Sequence, residues 1–393
     1  MYTHSNQPNT RIDVADVLRG FAILGILLVH SIEQYNMYHF PETDSVWLQF
    51  LNQAAFQGVF QFLLGGKMYA IFALLFGLSF FIQIDNQAQK GRDFRPRFLW
   101  RLFLLLCFGL LNSIFYNGDI LALYAVCGML LLPLAKCSSR TLAWLAVLLA
   151  LQPVEWINAI HGICDPTWTL PASLADPLFG NAGPAMANGT LGELIRYNLT
   201  DGIAASHIWS VEHGRVTQTL ALFLLGIMIG RNRLFYNERN NLVIWNNILV
   251  TSTACFFIFS GLRNVAPGYF TSAAVKASLG SIFQMWTNLA FAFLIIASLV
   301  LLFYHNAGAH RFLMRMAPYG KTSLTHYISQ GIIGSFLFFG WGLGLYRYCG
   351  PFYSLLLGLG VFALQYTFIT WWLKHHAQGP LEGIWKRLTW IHS

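Results

Sequence analysis

Runs of about twenty residues with few or no charges alternate along the chain with short polar stretches, near 16–35, 67–85, 97–116, 119–136, 141–160, 216–232, 242–262, 280–304, 322–342 and 351–373. An α-helix needs about 20 apolar residues to cross ~30 Å of hydrocarbon, so each run predicts a membrane-spanning helix. The expected fold is an all-α integral membrane protein, a polytopic bundle of about ten transmembrane helices. No linker, low-complexity stretch or internal repeat divides it, which predicts a single domain over 1–393. No basic segment, short apolar core and small-residue cleavage site precede the first run, so that helix is expected to be retained. Three stretches lie outside the runs. Residues 36–66, with "SVWLQFLNQAAFQGVFQFLL", show helical amphipathic spacing and predict a helix on the outer interface or over a cavity. Residues 161–215 are rich in Pro, Gly and Asn and predict an irregular outer loop with a short helix near 191–205. Residues 374–393 predict a cytoplasmic amphipathic tail that starts after the break at Gly379 and Pro380.

Composition strengthens the membrane reading and excludes an ordinary soluble domain: 56% of the 393 residues are hydrophobic and 10% charged. Charge sets the orientation. With the N-terminus inside, only Lys67, Arg196, Arg215, Arg263, Lys276 and Arg347 of the 24 Lys and Arg fall on the outer side, as expected when basic loops stay cytoplasmic. Both termini are then cytoplasmic. The net charge of +8 is a topology signal, and no nucleic-acid partner is implied. Of six cysteines, Cys164 and Cys349 both fall in predicted outer segments, where a disulfide is an open possibility. No Cys/His spacing suggests a metal site.

The first run, "DVLRGFAILGILLVHSIE", is the most informative. Arg19 and His30 are eleven residues apart, about three turns and ~16 Å, and so point to nearly the same side of a helix. Asp16 and Glu33 extend that stripe. A polar stripe through an apolar helix cannot face lipid, so it is expected to line a cavity or groove. A neutral imidazole at His30 can accept a proton from an attacking hydroxyl or amine, with the Glu33 carboxylate one turn on to orient it. The plainer alternative has Asp16 and Arg19 at the headgroups and His30 hydrogen-bonded to a neighbouring helix.

Other polar residues divide in the same way. Lys67 in "GGKMYAIFALLFG" is placed to bind an anionic acceptor or to mark the interface. Asp119 is placed to cap the fourth run, with Tyr124 as a polar lining. The cluster of Arg92, Arg95, Arg97 and Arg101 suits the phosphates of CoA or anionic lipid. Lys321 lies near a helix start that attracts anions. Thr325, His326, Tyr327 and Gln330 carry polar groups into the ninth run, with His326 the second candidate base or a helix–helix bond. Glu382 is placed to pair with a cytoplasmic arginine. His207, Glu212 and His213 match no metal spacing.

Arg19, ten intervening residues and His30 are similar to the Arg-x10-His pattern of the integral-membrane acyltransferase superfamily. "RIDVADVLRGFAILGILLVH", "GGKMYAIFALLFGLSF", "NGDILALYAVCG", "GKTSLTHYISQ" and "GPLEGIWKRLTW" more closely resemble, in order, signature blocks of the DUF418 (YeiB-like) membrane proteins grouped with it. The resemblance implies an acyltransferase-3-like bundle in the bacterial inner membrane. It implies an acyl-CoA donor such as acetyl-CoA, and a glycan, lipid or small-molecule acceptor. His30 would be the base, assisted by Glu33, and Arg19 a donor-site contact with Asp16, Arg97, Arg101 and Lys321 near it. Lys67, Asp119, Tyr124, His326, Tyr327 and Gln330 are expected on the acceptor side. Membrane lipid is an expected partner, and a homodimer is left open. A transporter, or a lipid-handling protein or scaffold, would use the same polar stripe.

Overall fold

In the computed structural model, residues 12–391 are described; they are 79% helical and include no strand. Along the chain run α1 (Asp13–His30), α2 (Val46–Gln53), α3 (Met68–Ala88), α4 (Arg95–Ser113), α5 (Leu121–Leu134), α6 (Ser139–Ala150) and α7 (Pro153–Cys164). Short helices follow: α8 (Asp176–Gly180), α9 (Ala182–Ala187), α10 (Leu191–Tyr197) and α11 (Ile203–Glu212). Then come α12 (Arg215–Arg231), α13 (Arg239–Val265), α14 (Ala273–His305), α15 (Ala307–Leu313), α16 (Ala317–Lys321), α17 (Ser323–Phe338), α18 (Pro351–Trp372) and α19 (Pro380–Thr389). Segments Ser31–Tyr35, Ala54–Leu64 and Asn198–Gly202 are π-helical and continue α1, α2 and α10.

Each of the ten apolar runs contains a helix, but among the described residues five helical stretches are long and apolar enough to cross a membrane, or six if one bent pair counts as a span. The bent pair corrects the run expected over 141–160. Its halves, α6 and α7, meet at 45°. The residue before a proline is driven out of the right-handed helical region; here Gln152, before Pro153, takes a left-handed conformation with φ of 58°. Among the others, α4 carries three arginines, while α5, α12 and α17 have only 14, 17 and 16 residues.

The core is built by close helix crossings. A Cβ at Gly77 of α3 would lie 2.0 Å from the Phe223 carbonyl oxygen of α12, and one at Gly226 of α12 would lie 2.0 Å from that of Leu74. Each helix therefore seats its backbone on the other through a residue with no side chain. The far end of α12 is pinned to the start of α6, where Arg231 donates to the Ala135 and Cys137 carbonyls at 3.0 and 2.8 Å. The near end meets α6 again at Gln152, whose side-chain oxygen accepts from Thr217 at 3.2 Å and abuts Gly214, itself at φ of 62°.

Residues 161–215 depart from the expected irregular loop. Four short helices and a π-helical turn occupy most of the stretch. Asn198 donates to the Ile114 carbonyl at 3.0 Å and Ser206 to that of Asn117 at 2.6 Å. Met186, Leu194 and Tyr197 pack with Tyr35, Tyr116, Phe338 and Phe339. The segment is thus a folded cap on the ends of α1, α4 and α17. Cys164 and Cys349 are both free thiols, so the disulfide is absent.

Candidate functional site

The stripe on α1 is real but divides into two parts. At its start, Arg19 donates to Asp16 Oδ1 at 2.7 Å and to Ser79 Oγ of α3 at 2.7 Å. Two acids in the first turn of α1 suit the positive end of the helix dipole. Asp16 is 3% exposed, and a carboxylate at that burial needs the partners that it has. The pair docks α1 onto α3 and leaves Arg19 partly accessible.

Three turns on, His30 closes α1 and enters a nest of tyrosines. Its ring centre lies 4.6 Å from that of Tyr116, 5.9 Å from Tyr35 and 6.3 Å from Tyr327. Although surrounded by these rings, His30 is half-buried and retains accessible surface, as does Glu33. Tyr35 donates to the Gln330 carbonyl at 3.1 Å, and the Tyr327 hydroxyl accepts the Ile120 N–H at 3.0 Å. A Cβ at Gly334 would lie 2.3 Å from the Tyr35 ring, so only a glycine lets α17 approach this closely. Asp119 accepts from Asn112 Nδ2 and from the Ala122 N–H, both at 2.9 Å, the second a cap on the start of α5.

Several buried polar atoms around this nest have no hydrogen-bond partner: His30 Nδ1, Asn112 Oδ1 and both ends of the Gln330 amide. An unpaired buried polar group costs about 1–3 kcal/mol, so the structure concentrates unspent hydrogen-bonding capacity here. Chemically the nest offers an imidazole, an amide and phenol hydroxyls to a polar occupant.

Glu33 does not reach the imidazole as its spacing predicted. It accepts from the Tyr38 hydroxyl instead. The α-helical register that would stack the two ends at His30, because Ser31–Tyr35 is π-helical and follows i→i+5 bonding. The charge that acts on Glu33 is Arg215, at the start of α12, whose guanidinium lies 4.0 Å from the Tyr69 ring centre.

The remaining sequence candidates are scattered. Tyr124 is buried among Phe72, Phe76 and Phe223 and donates to the Tyr69 carbonyl at 3.0 Å. Lys67 contacts Gln61 and Phe291, neither of which is in the His30 nest. His326 stacks on Tyr319 with centres 3.9 Å apart and pairs with Thr322 at 3.0 Å, so its contacts belong to helix packing. Arg97 and Arg101 do not face an open donor site. Arg97 donates to the Thr389 carbonyl at 2.8 Å, and the Arg101 guanidinium lies over the Trp385 ring at 4.0 Å, because the α19 helix docks on α4 there. Lys321 is half-buried at the end of α16. Glu382 does not pair with an arginine. It accepts the Leu324 and Thr325 N–H groups at 2.8 and 3.1 Å and the Thr325 hydroxyl at 2.6 Å, which caps α17 from a distant part of the chain. Burial raises its carboxyl above the ordinary range, and the hydrogen bonds pull the other way. In the cap segment, Glu212 accepts from Leu174 N–H and the Ser173 hydroxyl at 2.7 and 2.8 Å, bonds that hold its carboxyl below the usual value. His213 stacks on Trp209, and no group of three ligating side chains fit for a metal occurs among the described residues.

Sequence reasoning missed Tyr35, Tyr116, Asn112, Asn117 and Arg215. The signal available was "FYNGD", where two polar residues and an acid interrupt an apolar stretch, and the π-helical turn after His30 had none.

Fold and site define a multi-pass helical membrane protein with a histidine set among tyrosines at the end of its first helix. Residues 229–392 match the family described as "Protein of unknown function (DUF418)". The chain is 26% identical to the "Uncharacterized protein YxaH" of Bacillus subtilis (strain 168), over 98% of this chain and 95% of that one. It is 26% identical to the "Uncharacterized 39.9 kDa protein in amylase 3'region" of Bacillus acidopullulyticus, over 96% and 94% of the two chains. The "Uncharacterized protein YeiB" of Escherichia coli (strain K12) is also 26% identical, over 95% of each. Residues 229–392 thus carry the DUF418 match, and the chain is similar to YxaH and YeiB over nearly its whole length. No solved structure matches it.

Proposed function

We propose that the protein is a membrane acyltransferase of the bacterial inner membrane. It would span the bilayer about ten times with both termini cytoplasmic. It would pass an acyl group, acetyl in the simplest case, from cytoplasmic acyl-CoA to a membrane-associated or periplasmic acceptor such as a glycan or lipid. The observation that carries this reading is His30: half-buried, its Nδ1 unpaired, among three tyrosines and an unpaired amide.

In that reaction His30 takes the proton from the acceptor hydroxyl or amine as its oxygen or nitrogen attacks the thioester carbonyl. The carbon–sulfur bond breaks, and the CoA thiolate takes the proton back from the imidazolium. The carboxylate role expected of Glu33 is dropped, since Glu33 bonds Tyr38. The tyrosine hydroxyls and Gln330 are left to orient the acceptor. Of the donor-side cations, Arg19 keeps partial exposure at the other end of the stripe, while Arg97 and Arg101 are occupied by α19. Arg19 is thus the donor-site contact of this proposal, and the tail arginines are not part of it.

The test is binding of CoA and acetyl-CoA to protein in mild detergent, with wild type, Arg19→Ala and His30→Ala. Binding weakened by the arginine change, with acyl loss to an acceptor that depends on His30, supports the reading. Absence of binding at millimolar concentration, in protein shown to be folded, refutes a CoA-dependent reaction and favours transport or lipid handling.

A further inference from the structure

Away from the His30 nest, a buried cation lacks an acid. Lys67 is 4% exposed, at the turn between the Ala54–Leu64 π-helix and α3. Its ammonium donates to the Gln61 carbonyl at 2.7 Å and stands 5.8 Å from the centre of the Phe291 ring. A lysine has three N–H donors, and this one contact uses one of them. Among the described residues no carboxylate is within ion-pair distance. A second cation, Arg263, is exposed two turns past Phe256 on α13, on the same side of that helix.

An ionised side chain this buried in an apolar protein is ordinarily paired. Cations on one side of the bundle with no acid beside them favour an anionic ligand. The adjoining surface is aromatic. Phe62, Phe256 and Phe291 form a triangle with ring centres 5.0 to 6.1 Å apart, and Phe62 is 55% exposed. These residues belong to three of the stretches fit to cross a membrane, Val46–Ala88, Arg239–Tyr269 and Ala273–His305. An anion bound here therefore has hydrocarbon beside it.

We propose that Lys67 and Arg263 hold the phosphate of an anionic phospholipid whose acyl chains lie across Phe62 and Phe256. This goes beyond the proposed reaction and does not depend on it. Basic pockets between membrane helices bind lipid headgroups in this manner. The ammonium supplies charge at depth, and the exposed guanidinium offers bidentate geometry from the rim.

The experiment is native mass spectrometry of the full chain in detergent, titrated with phosphatidylglycerol, with phosphatidylcholine and with inorganic phosphate. One phosphatidylglycerol should bind at least tenfold more tightly than phosphatidylcholine. Lys67→Met should abolish that preference and Arg263→Gln should reduce it severalfold. If Lys67→Met does not give a monodisperse protein, Arg263→Gln decides, because that side chain is exposed. Equal binding of the two lipids by wild type, or an unchanged preference in Arg263→Gln, overturns the proposal. Inorganic phosphate binding as tightly as phosphatidylglycerol overturns the lipid and assigns the site to a soluble phosphate compound.

Discussion

Replacing Glu382 by alanine should loosen α17, the helix that carries Tyr327 and Gln330 into the pocket. The carboxylate satisfies two backbone N–H groups in the first turn of α17 and the Thr325 hydroxyl, which itself accepts the Leu381 N–H at 3.1 Å. Losing a helix cap costs about 0.5–2 kcal/mol, and hydrogen bonds to a charged group contribute about 1.5–3 kcal/mol each before the cost of burying the charge is returned. Burial does oppose ionisation at Glu382, so the net loss should be ~2–3 kcal/mol. At 1.4 kcal/mol per factor of ten, local opening of the α17 start should rise roughly 30- to 150-fold. Hydrogen–deuterium exchange of the amides at 323–327 reads that opening directly. Arg97→Ala is the control: it removes the contact to the Thr389 carbonyl and should speed exchange in α19 while leaving 323–327 slow. Unchanged exchange at 323–327 in Glu382→Ala, or equal acceleration there in Arg97→Ala, would refute the assignment of Glu382 as the cap.

Three further outcomes follow from the geometry. Gly77→Leu should destabilise the bundle by ~3 kcal/mol or more, because overpacked sites typically lose 1–3 kcal/mol and this one meets backbone that cannot yield; thermal unfolding in detergent would show it, and a wild-type transition would contradict the crossing. Glu212 has a folded-state pKa below its unfolded value, so its hold on Ser173 and Leu174 is present above pH ~4.3 and is lost as pH falls through the lower folded value; protease sensitivity of the 165–180 region should rise there in wild type, and Glu212→Gln should flatten the profile. Cys164 and Cys349 are free, so both should react with a maleimide without reductant, and a two-dalton mass gain on reduction would contradict this.

Much of the architecture was legible because the membrane demands long apolar runs, and each run contains a helix. Their number as full spans was less so. The chain breaks at Gln152 and Pro153, and α4 keeps arginines that the docked tail occupies, neither of which hydropathy weighs. The polar stripe of α1 was legible as far as the α-helical period holds, from Asp16 to His30. One residue later the period changes, and Glu33 leaves the stripe for Tyr38. Tyr116 comes to the histidine from a turn 86 residues further along the chain, a juxtaposition that only tertiary packing creates. Glu382 illustrates the same limit, since its partner is an uncapped helix end 57 residues before it.

The meeting of Gln152 with Gly214 and Thr217 has a consequence for how such a chain can be altered. Between those points α7 packs along α14, α8 through α11 fold over the ends of α1, α4 and α17, and the chain returns to one place. Because the two ends are already neighbours, closing that gap with a short turn asks little of the chain. The exposed turns of this excursion can change in length while α6 and α12 keep their pairing. The buried side chains of the cap, Met186, Leu194 and Tyr197, stay tied to the tyrosines around His30, so change is confined to the turns between its helices.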